Sequence, residues 1–225
     1  MATVISTACR VYLDTAALYN SIDRIEGWRP VEETVNWGGR AHSVTVHKSA
    51  VDFPIEDLEN EELKSEARLL RRIAELAQEG RIELLVQNET MVELWSALRR
   101  SDIRNALFFG APITEVKAPF EYGRVVFSAF EKANKVQYEF LSRITNERFV
   151  ELQRACGAYQ GSKKPLSPNQ LRDAFHVWCA EGADAQFFLT TDFKLVGYVE
   201  RQNRYIPKVR VVKPSQLLAE IHDQG

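Results

Sequence analysis

The segment SPNQLRDAFHVWCAEGADAQFFLTTDFKL, residues 167–195, decides the fold because it predicts a helix, a buried strand and the start of a second helix. Ser167 is a suitable N-cap, Pro168 fits the first helical position, and Gln170 stands at the capping-box position. The apolar residues that follow recur at helical spacing and form a core stripe: Leu171, Ala174, Phe175 and Trp178. The apolar run QFFLTT then predicts a buried strand that leads into Asp192.

The remainder of the chain continues this alternation of strands and helices. The run CRVYLD, which ends at Asp14, predicts a first buried strand, IELLVQN at 82–88 predicts a second, and VRVV at 209–212 closes the series. Helical patterns follow these runs, and strands that alternate with helices favour a parallel sheet covered on both faces. The sequence shows no internal repeat and no convincing second-domain boundary, so we expect a single α/β domain.

Two stretches interrupt this alternation. In residues 28–50, the sequence VNWGGRAHSVTV places two β-rich runs on either side of Gly38-Gly39 and predicts a hairpin or an irregular excursion. Residues 101–117 are expected to be irregular, whereas residues 119–155 are expected to form one or two helices. Trp28 and Trp37 of the first stretch and Phe53 just after it could stack on bases or pack as the core of a small insert, and the sequence favours neither.

Composition places the chain among ordinary globular proteins. Its 225 residues suffice to bury a sizeable core, with 45% hydrophobic and 27% charged residues. No apolar run approaches the ~20 residues that span a bilayer, and the N-terminal pattern predicts no signal peptide. The three cysteines form no CxxC pair, which argues against structural zinc or a disulfide framework and favours a reducing cytoplasm. The net charge of −2 does not decide for or against a nucleic-acid partner.

Carboxylates stand where the predicted strands end. Asp14 follows the first strand and Asp192 follows the QFFLTT strand, at the sheet edge where ligands of open parallel sheets gather. Glu93 lies in the first turns of the helix after the second strand, and hence at the same edge. Asp173 lies on the second turn of the helix that follows Ser167, where the topology constrains its position less.

Four crowded carboxylates cannot all stay ionised without a compensating charge. A bound divalent cation supplies that charge, and oxygen ligands favour Mg²⁺ or Mn²⁺ over zinc. Such cations lower the pKa of bound water and neutralise phosphoryl oxygens, which suits phosphodiester hydrolysis. Taken singly, Asp14 or Asp192 is better explained as a helix cap. The four carboxylates indicate catalysis only when they are considered together, since no single one of them does so.

Two separated motifs and the end of the chain resemble the PIN-domain family. The stretch YLDTAALYNSID at 12–23 is similar to the opening strand and helix of these domains. In residues 173–195, an Asp followed three positions later by His, then Gly-Ala-Asp and Leu-Thr-Thr-Asp, is similar to the second half of the VapC-like branch. The final VRVVKPSQLLAEI is similar to the family's closing strand, proline and helix.

The resemblance implies a three-layer α/β/α sandwich and an Mg²⁺- or Mn²⁺-dependent endoribonuclease, often the toxin of a toxin–antitoxin pair. It implies RNA as the substrate, an antitoxin protein as a candidate partner and a homodimer as a candidate assembly. The family's catalytic and metal-binding positions carry over onto four residues: Asp14, Glu93, Asp173 and Asp192. A hydroxyl of Thr190 or Thr191 would support them.

The resemblance leaves two points open. The stretch LLVQNETMVELW offers Glu89 as well as Glu93, and only the Glu-Leu pair after the helix start favours Glu93. The chain is also longer than a minimal member of the family, and the extra length lies mainly in insertions at about 28–58 and 101–165. Added elements of this kind often determine partner and substrate choice.

Other polar residues have two explanations each. His176 follows Asp173 by three residues on nearly the same helix face and could support a carboxylate or bind phosphate, but a buried structural histidine explains it better. Several basic residues near the motifs are candidate phosphate contacts, although solvated surface charge better explains each one alone: Arg99, Arg100, Arg104, Lys163, Lys164 and Lys194.

Two other functions compete with a ribonuclease. A PIN-like fold without catalysis would act as an RNA-binding or protein-interaction module, and an absence of cation binding would favour it. A haloacid-dehalogenase-like phosphatase is disfavoured, because YLDTA lacks the second Asp two residues after Asp14.

Overall fold

The computed structural model describes residues 8–97, 107–123, 130–159, 161 and 164–223. The strands in these ranges are β1 (Cys9–Leu13), β2 (Ile25–Trp37), β3 (Arg40–Asp52), β4 (Ile82–Gln87), β5 (Ile113–Val116), β6 (Phe187–Leu189) and β7 (Arg210–Val212). The α-helices are α1 (Thr15–Asn20), α2 (Glu61–Gln78), α3 (Asn88–Ala97), α4 (Phe130–Ser142), α5 (Glu147–Ala155), α6 (Pro168–Gly182), α7 (Phe193–Glu200) and α8 (Pro214–Asp223).

Five of the strands form one parallel sheet in the order β5-β4-β1-β6-β7. The central strand is β1, where Val11 lies opposite Leu84 of β4 and Phe187 of β6. The predicted parallel sheet is therefore confirmed, and its four predicted strands are all present.

Helices pack on both faces of this sheet. Side chains alternate along a strand, so Val11 of β1 faces one core with α1, α2 and α8, whereas Tyr12 faces a second core with α5 and α6. The fold is a mixed α/β arrangement compatible with a three-layer α/β/α sandwich. No helix within the described ranges is long and apolar enough to cross a membrane.

The segment from Ser167 onward folds as predicted, with one difference at the cap. Ser167 is the N-cap of α6 and Pro168 occupies its first turn, but the serine makes no side-chain hydrogen bond to the helix backbone. Its hydroxyl donates to the side-chain oxygen of Gln170 instead. The predicted capping box is therefore wrong, because the two side chains bind each other and not the backbone N–H groups.

The predicted hairpin is confirmed and is longer than expected. Strands β2 and β3 pair antiparallel over 13 residues each and turn at Gly38 and Gly39, whose φ angles are +61° and +76°. Trp28 and Trp37 are 72% and 79% exposed, and Phe53 is 51% exposed. The interpretation that these aromatic residues form the core of a small insert is therefore wrong. A lone two-stranded ribbon has no second layer to cover them.

The prediction for residues 101–117 is wrong in part. Ile113–Val116 form β5, an edge strand paired with β4. Its sequence, ITEV, has no apolar run of the kind that marks β6, and Gly110 and Pro112 lie just before it. The predicted helices of residues 119–155 are confirmed as α4 and α5 in the described parts of that stretch, residues 119–123 and 130–155.

Candidate acidic site

Asp14 lies at the carboxyl end of β1 and is only 3% exposed. Its Oδ1 accepts a hydrogen bond from the backbone N–H of Thr15 at 2.8 Å and so caps α1. Its Oδ2 accepts from the hydroxyl of Thr190 at 2.6 Å. Burial, and to a smaller degree the charge of Glu93, raise the pKa of Asp14 above its ordinary value. Asp14 therefore caps α1 and is also a buried carboxyl group whose pKa responds to neighbouring charged groups.

Thr190 joins the two aspartates that follow strands. Its hydroxyl donates to Asp14 and accepts from the backbone N–H of Asp192 at 2.9 Å. Asp192 is the N-cap of α7, and its Oδ1 accepts from the backbone N–H groups of Lys194 and Leu195 at 2.8 and 3.2 Å. The neighbouring Thr191 accepts from the Asn20 side chain at 2.8 Å. Of the two threonines, Thr190 is the one whose hydroxyl contacts an acidic side chain.

Glu93, and not Glu89, is the α3 carboxylate that faces this cluster. Its Oε2 accepts from the Thr15 hydroxyl at 3.0 Å and lies 3.2 Å from His176 Nε2. Glu89, one turn earlier, accepts from the hydroxyl of Tyr122 at 3.0 Å. Because Thr15 directly follows Asp14, its contact brings Glu93 beside the end of β1.

His176 is buried and hydrogen-bonded at both ring nitrogens. Nε2 contacts Glu93, and Nδ1 lies 3.2 Å from the hydroxyl of Thr90. Burial opposes the charged imidazolium, but Glu93 and then Asp14 and Asp173 outweigh it and raise the pKa of His176. For the carboxyl group of Glu93, burial acts to raise the pKa. The positive charge and hydrogen bond of His176 outweigh burial, so the pKa of Glu93 is lowered. The histidine is thus both structural and a direct support for one acidic side chain.

Asp173 is the least compensated member of the cluster. It lies on the second turn of α6, and no hydrogen bond reaches its carboxylate from the described part of the chain. Burial raises the pKa of Asp173 well above its ordinary value, and the charges of Asp14 and Asp192 raise it further. The negative charges of the three aspartates therefore oppose one another across the ends of β1, β6 and α6.

The chemistry of this donor set fits a hard cation. Carboxylate oxygens are the kind of ligand that such cations prefer, and the opposing positive charge comes from His176 and, at Glu93, from Arg172. Within residues 8–97, 107–123, 130–159, 161 and 164–223, no three Asp, Glu, His or Cys side chains form a ready-made group for a metal. The carboxylates are therefore electrostatic neighbours whose side chains would have to draw closer around an ion.

One supporting residue gave no signal in the sequence. The side-chain nitrogen of Gln137 on α4 lies 3.1 Å from both Glu89 Oε2 and Glu93 Oε1. It comes from the stretch that least resembles known motifs, and only tertiary packing brings it to α3. Thr15 was also missed, although its position directly after Asp14 in YLDTA could have indicated a role.

The basic candidates are only partly described. Lys164 and Lys194 are exposed, and no ion pair involves them among the described residues. The other four lie outside those residues: Arg99, Arg100, Arg104 and Lys163.

Comparisons with family models, with curated proteins and with solved structures find no match to this chain. The contacts and charges of the acidic cluster and the motifs in the sequence are therefore what point to a function.

Proposed function

We propose that this protein is a PIN-like, metal-dependent endoribonuclease that hydrolyses RNA phosphodiesters. The observation that carries the proposal is the cluster of carboxylates from the end of β1, from α3, from α6 and from the end of β6. Burial, and after it the charges of neighbouring carboxylates, raise the pKa values of Asp14 and Asp173. A carboxyl group whose pKa is raised well above its usual range, at the edge of a parallel sheet, is typical of a functional site.

The ligands we propose for Mg²⁺ or Mn²⁺ are Asp14, Glu93, Asp173 and Asp192. Thr190 holds Asp14 through a 2.6 Å hydrogen bond, and Thr15 holds Glu93 through one of 3.0 Å, so these side chains are oriented before any ligand binds. Asp173, which lacks such a partner among the described residues, retains both oxygens for a cation. A cation bound here would supply an activated water and neutralise charge on the phosphate.

The biological setting that we propose follows from the motifs only. A PIN-like ribonuclease with these motifs would act in the cytoplasm, as the toxin of a pair whose antitoxin protein blocks the site. A homodimer is the assembly that we expect of it.

Cleavage of a labelled single-stranded RNA by the purified protein tests this proposal. We expect cleavage with Mg²⁺ or Mn²⁺, none with EDTA, and a loss of at least about 100-fold in Asp14→Asn. The matched control is Asp57→Asn, which changes an exposed aspartate after the hairpin and should cut normally. Equal cleavage by Asp14→Asn and the original protein, with circular dichroism showing both folded, would contradict the assignment.

The alternative function is that of a catalytically inactive RNA-binding or protein-interaction module. The same experiment separates the two, because an inactive module would leave the RNA intact at every cation concentration. A surface of arginines and tyrosines outside the acidic site favours RNA binding, which both the ribonuclease and the inactive module would need.

A further inference from the structure

Arginines and tyrosines alternate on one surface outside the acidic site. They come from the end of α5, from the loop after it and from the segment around the end of α7. We call this group the Arg–Tyr surface, and its members are Arg154, Tyr159, Tyr198, Arg201, Arg204 and Tyr205.

Arg154 lies at the centre of one half of this surface. The carbon of its guanidinium group is 5.1 Å from the ring centroid of Tyr205 and 5.4 Å from that of Tyr159. Its Nη1 also donates to the Tyr205 hydroxyl at 2.5 Å. Arg204 lies 5.4 Å from the same Tyr205 ring. These contacts are within the range of cation–π attraction, which orders flat groups before a ligand arrives.

Tyr198 and Arg201 connect to this half through Gly157. Arg201 lies 5.4 Å from the centroid of Tyr198. A Cβ atom at Gly157 would stand 2.9 Å from Cδ1 of Tyr198, and the glycine has a φ of +79°. The tyrosine ring therefore packs directly on the backbone that connects α5 with Tyr159, and any side chain at Gly157 would separate them.

The arginines of this surface, Arg154, Arg201 and Arg204, form no ion pairs with a carboxylate within the described part of the chain. By contrast, Arg148 on the same helix as Arg154 is paired with both Glu181 and Glu151. Three exposed guanidinium groups thus remain available to phosphates.

The surface lies beside the helix that carries Asp173. The backbone N–H of Ser167, the N-cap of α6, donates to the carbonyl of Ala158 at 3.0 Å, and Tyr159 is the next residue. Asp173 follows Ser167 by six residues, which corresponds to ~9 Å along the axis of α6. Tyr159 is 47% exposed, so part of its side chain is open to a ligand near the start of this helix.

We propose that the Arg–Tyr surface binds single-stranded RNA. Unpaired guanidinium groups attract the phosphates, and aromatic rings and guanidinium planes accept stacked bases without regard to sequence. A duplex keeps its bases stacked inside, so it gains only the phosphate contacts and binds less tightly. A role of this surface in delivering the strand to the acidic site rests on the proposed function. Binding of RNA by the surface does not depend on that function.

Fluorescence anisotropy of a labelled single-stranded oligoribonucleotide in EDTA measures this binding in the absence of cleavage. We expect Tyr159→Leu to weaken binding by about tenfold. Arg201→Gln combined with Arg204→Gln should weaken it by a similar factor. In the same double variant, the slope of log affinity against log salt concentration should become less negative. The expected change is about 0.7 for each phosphate that the protein no longer neutralises. The control is Arg72→Gln, a partly exposed arginine on α2, on the opposite face of the sheet, paired with Glu75 and Glu79.

The outcomes separate this inference from the proposed function. Unchanged affinity and salt dependence in the folded variants would overturn the binding surface, even if the protein cuts RNA. Weaker binding in those variants supports the surface, even if the original protein fails to cut RNA with any cation. A protein that binds the duplex more tightly than the single strand would also overturn it. Tyr159, Arg201 and Arg204 are exposed, and circular dichroism verifies that each variant is folded.

Discussion

The side-chain nitrogen of Gln137 lies 3.1 Å from Oε1 of Glu93 and 3.1 Å from Oε2 of Glu89. One amide group thus donates to two carboxylates that stand a turn apart on α3. Gln137 belongs to α4, which comes much later in the chain than α3. Helix α4 therefore contributes a contact that holds Glu93 in place.

Replacing Gln137 with Met removes both donated hydrogen bonds at nearly the same side-chain volume. Partners that orient a ligand are commonly worth 10- to 100-fold in metal affinity or activity. We therefore expect Gln137→Met to lower Mn²⁺ affinity and metal-dependent cleavage by at least about tenfold. Gln78→Met is the control, because Gln78 donates to the backbone of Phe109 far from the carboxylates. Equal Mn²⁺ affinity in the two variants, measured by calorimetry, would show that the contact is unimportant.

Replacing Asp173 with Asn should stabilise the protein in the absence of metal. Burial and the neighbouring aspartates raise the pKa of Asp173 in the folded state. For a carboxyl group with a raised pKa, the original protein loses stability as pH rises above the unfolded value of ~4. The asparagine does not ionise and avoids this loss. Thermal unfolding in EDTA at pH 7 should show a Tm higher by about a few degrees.

The pH and metal dependence of Asp173→Asn supply the controls. The Tm difference should disappear below pH ~4, where both side chains are neutral. Added Mn²⁺ should raise the Tm of the original protein more than that of the variant, since a cation binds the folded acidic cluster. A variant with a lower Tm than the original protein at pH 7 in EDTA would show that the carboxylate is not electrostatically strained.

Glu66 of α2 anchors the N-terminus of α8. Its two oxygens accept hydrogen bonds from the backbone N–H and the hydroxyl of Ser215, at 2.8 and 2.6 Å. The carboxylate is 7% exposed, and a helix N-terminus favours a negative charge. Glu66→Ala should lower the free energy of unfolding by about 1–3 kcal/mol, measured with urea.

Glu62→Ala is the control for this anchor. Glu62 lies one turn earlier on α2 and pairs with Lys213 at 3.0 Å on the surface. Exposed pairs of this kind contribute about 0–1 kcal/mol. If the two variants are equally stable, Glu66 does not anchor the helix.

The hairpin of β2 and β3 should be removable. Ile25 and Asp52 are direct cross-strand partners at its base, so the chain ends there lie about 5 Å apart. Both strands are largely exposed, and the hairpin contributes no residue to either buried core. Replacing residues 26–51 with a short Gly-Ser linker should change the free energy of unfolding by less than about 1 kcal/mol.

Tryptophan fluorescence gives a second readout of the same deletion. The deletion removes Trp28 and Trp37, which are 72% and 79% exposed, while the buried Trp178 remains. Emission should therefore shift to shorter wavelength in the folded state. Cooperative unfolding that disappears in the shortened protein would show instead that the hairpin is part of the folding unit.

Local patterns in the sequence determined the main elements of the fold. The segment after Ser167 carried its own helix start, core stripe and strand, and the strands ending at Asp14 and at Gln87 were long enough to show as apolar runs. Asp14 directly follows β1 and Asp192 lies three residues after the end of β6, and chain position alone fixes both relationships. These features depend on residues within about one helix turn or one strand of each other.

Tertiary structure decided what depends on distant residues. The choice of Glu93 over Glu89 followed from Thr15 and His176, which lie 78 and 83 positions away. Gln137 contacts the same helix from α4, and the edge strand β5, with the sequence ITEV, lacks the apolar run that marks β6. The exposure of Trp28 and Trp37 depended on the lack of any layer against the hairpin in the described structure. Sequence periodicity encodes which face of an element is buried, but a side-chain contact is fixed only when two such elements pack together.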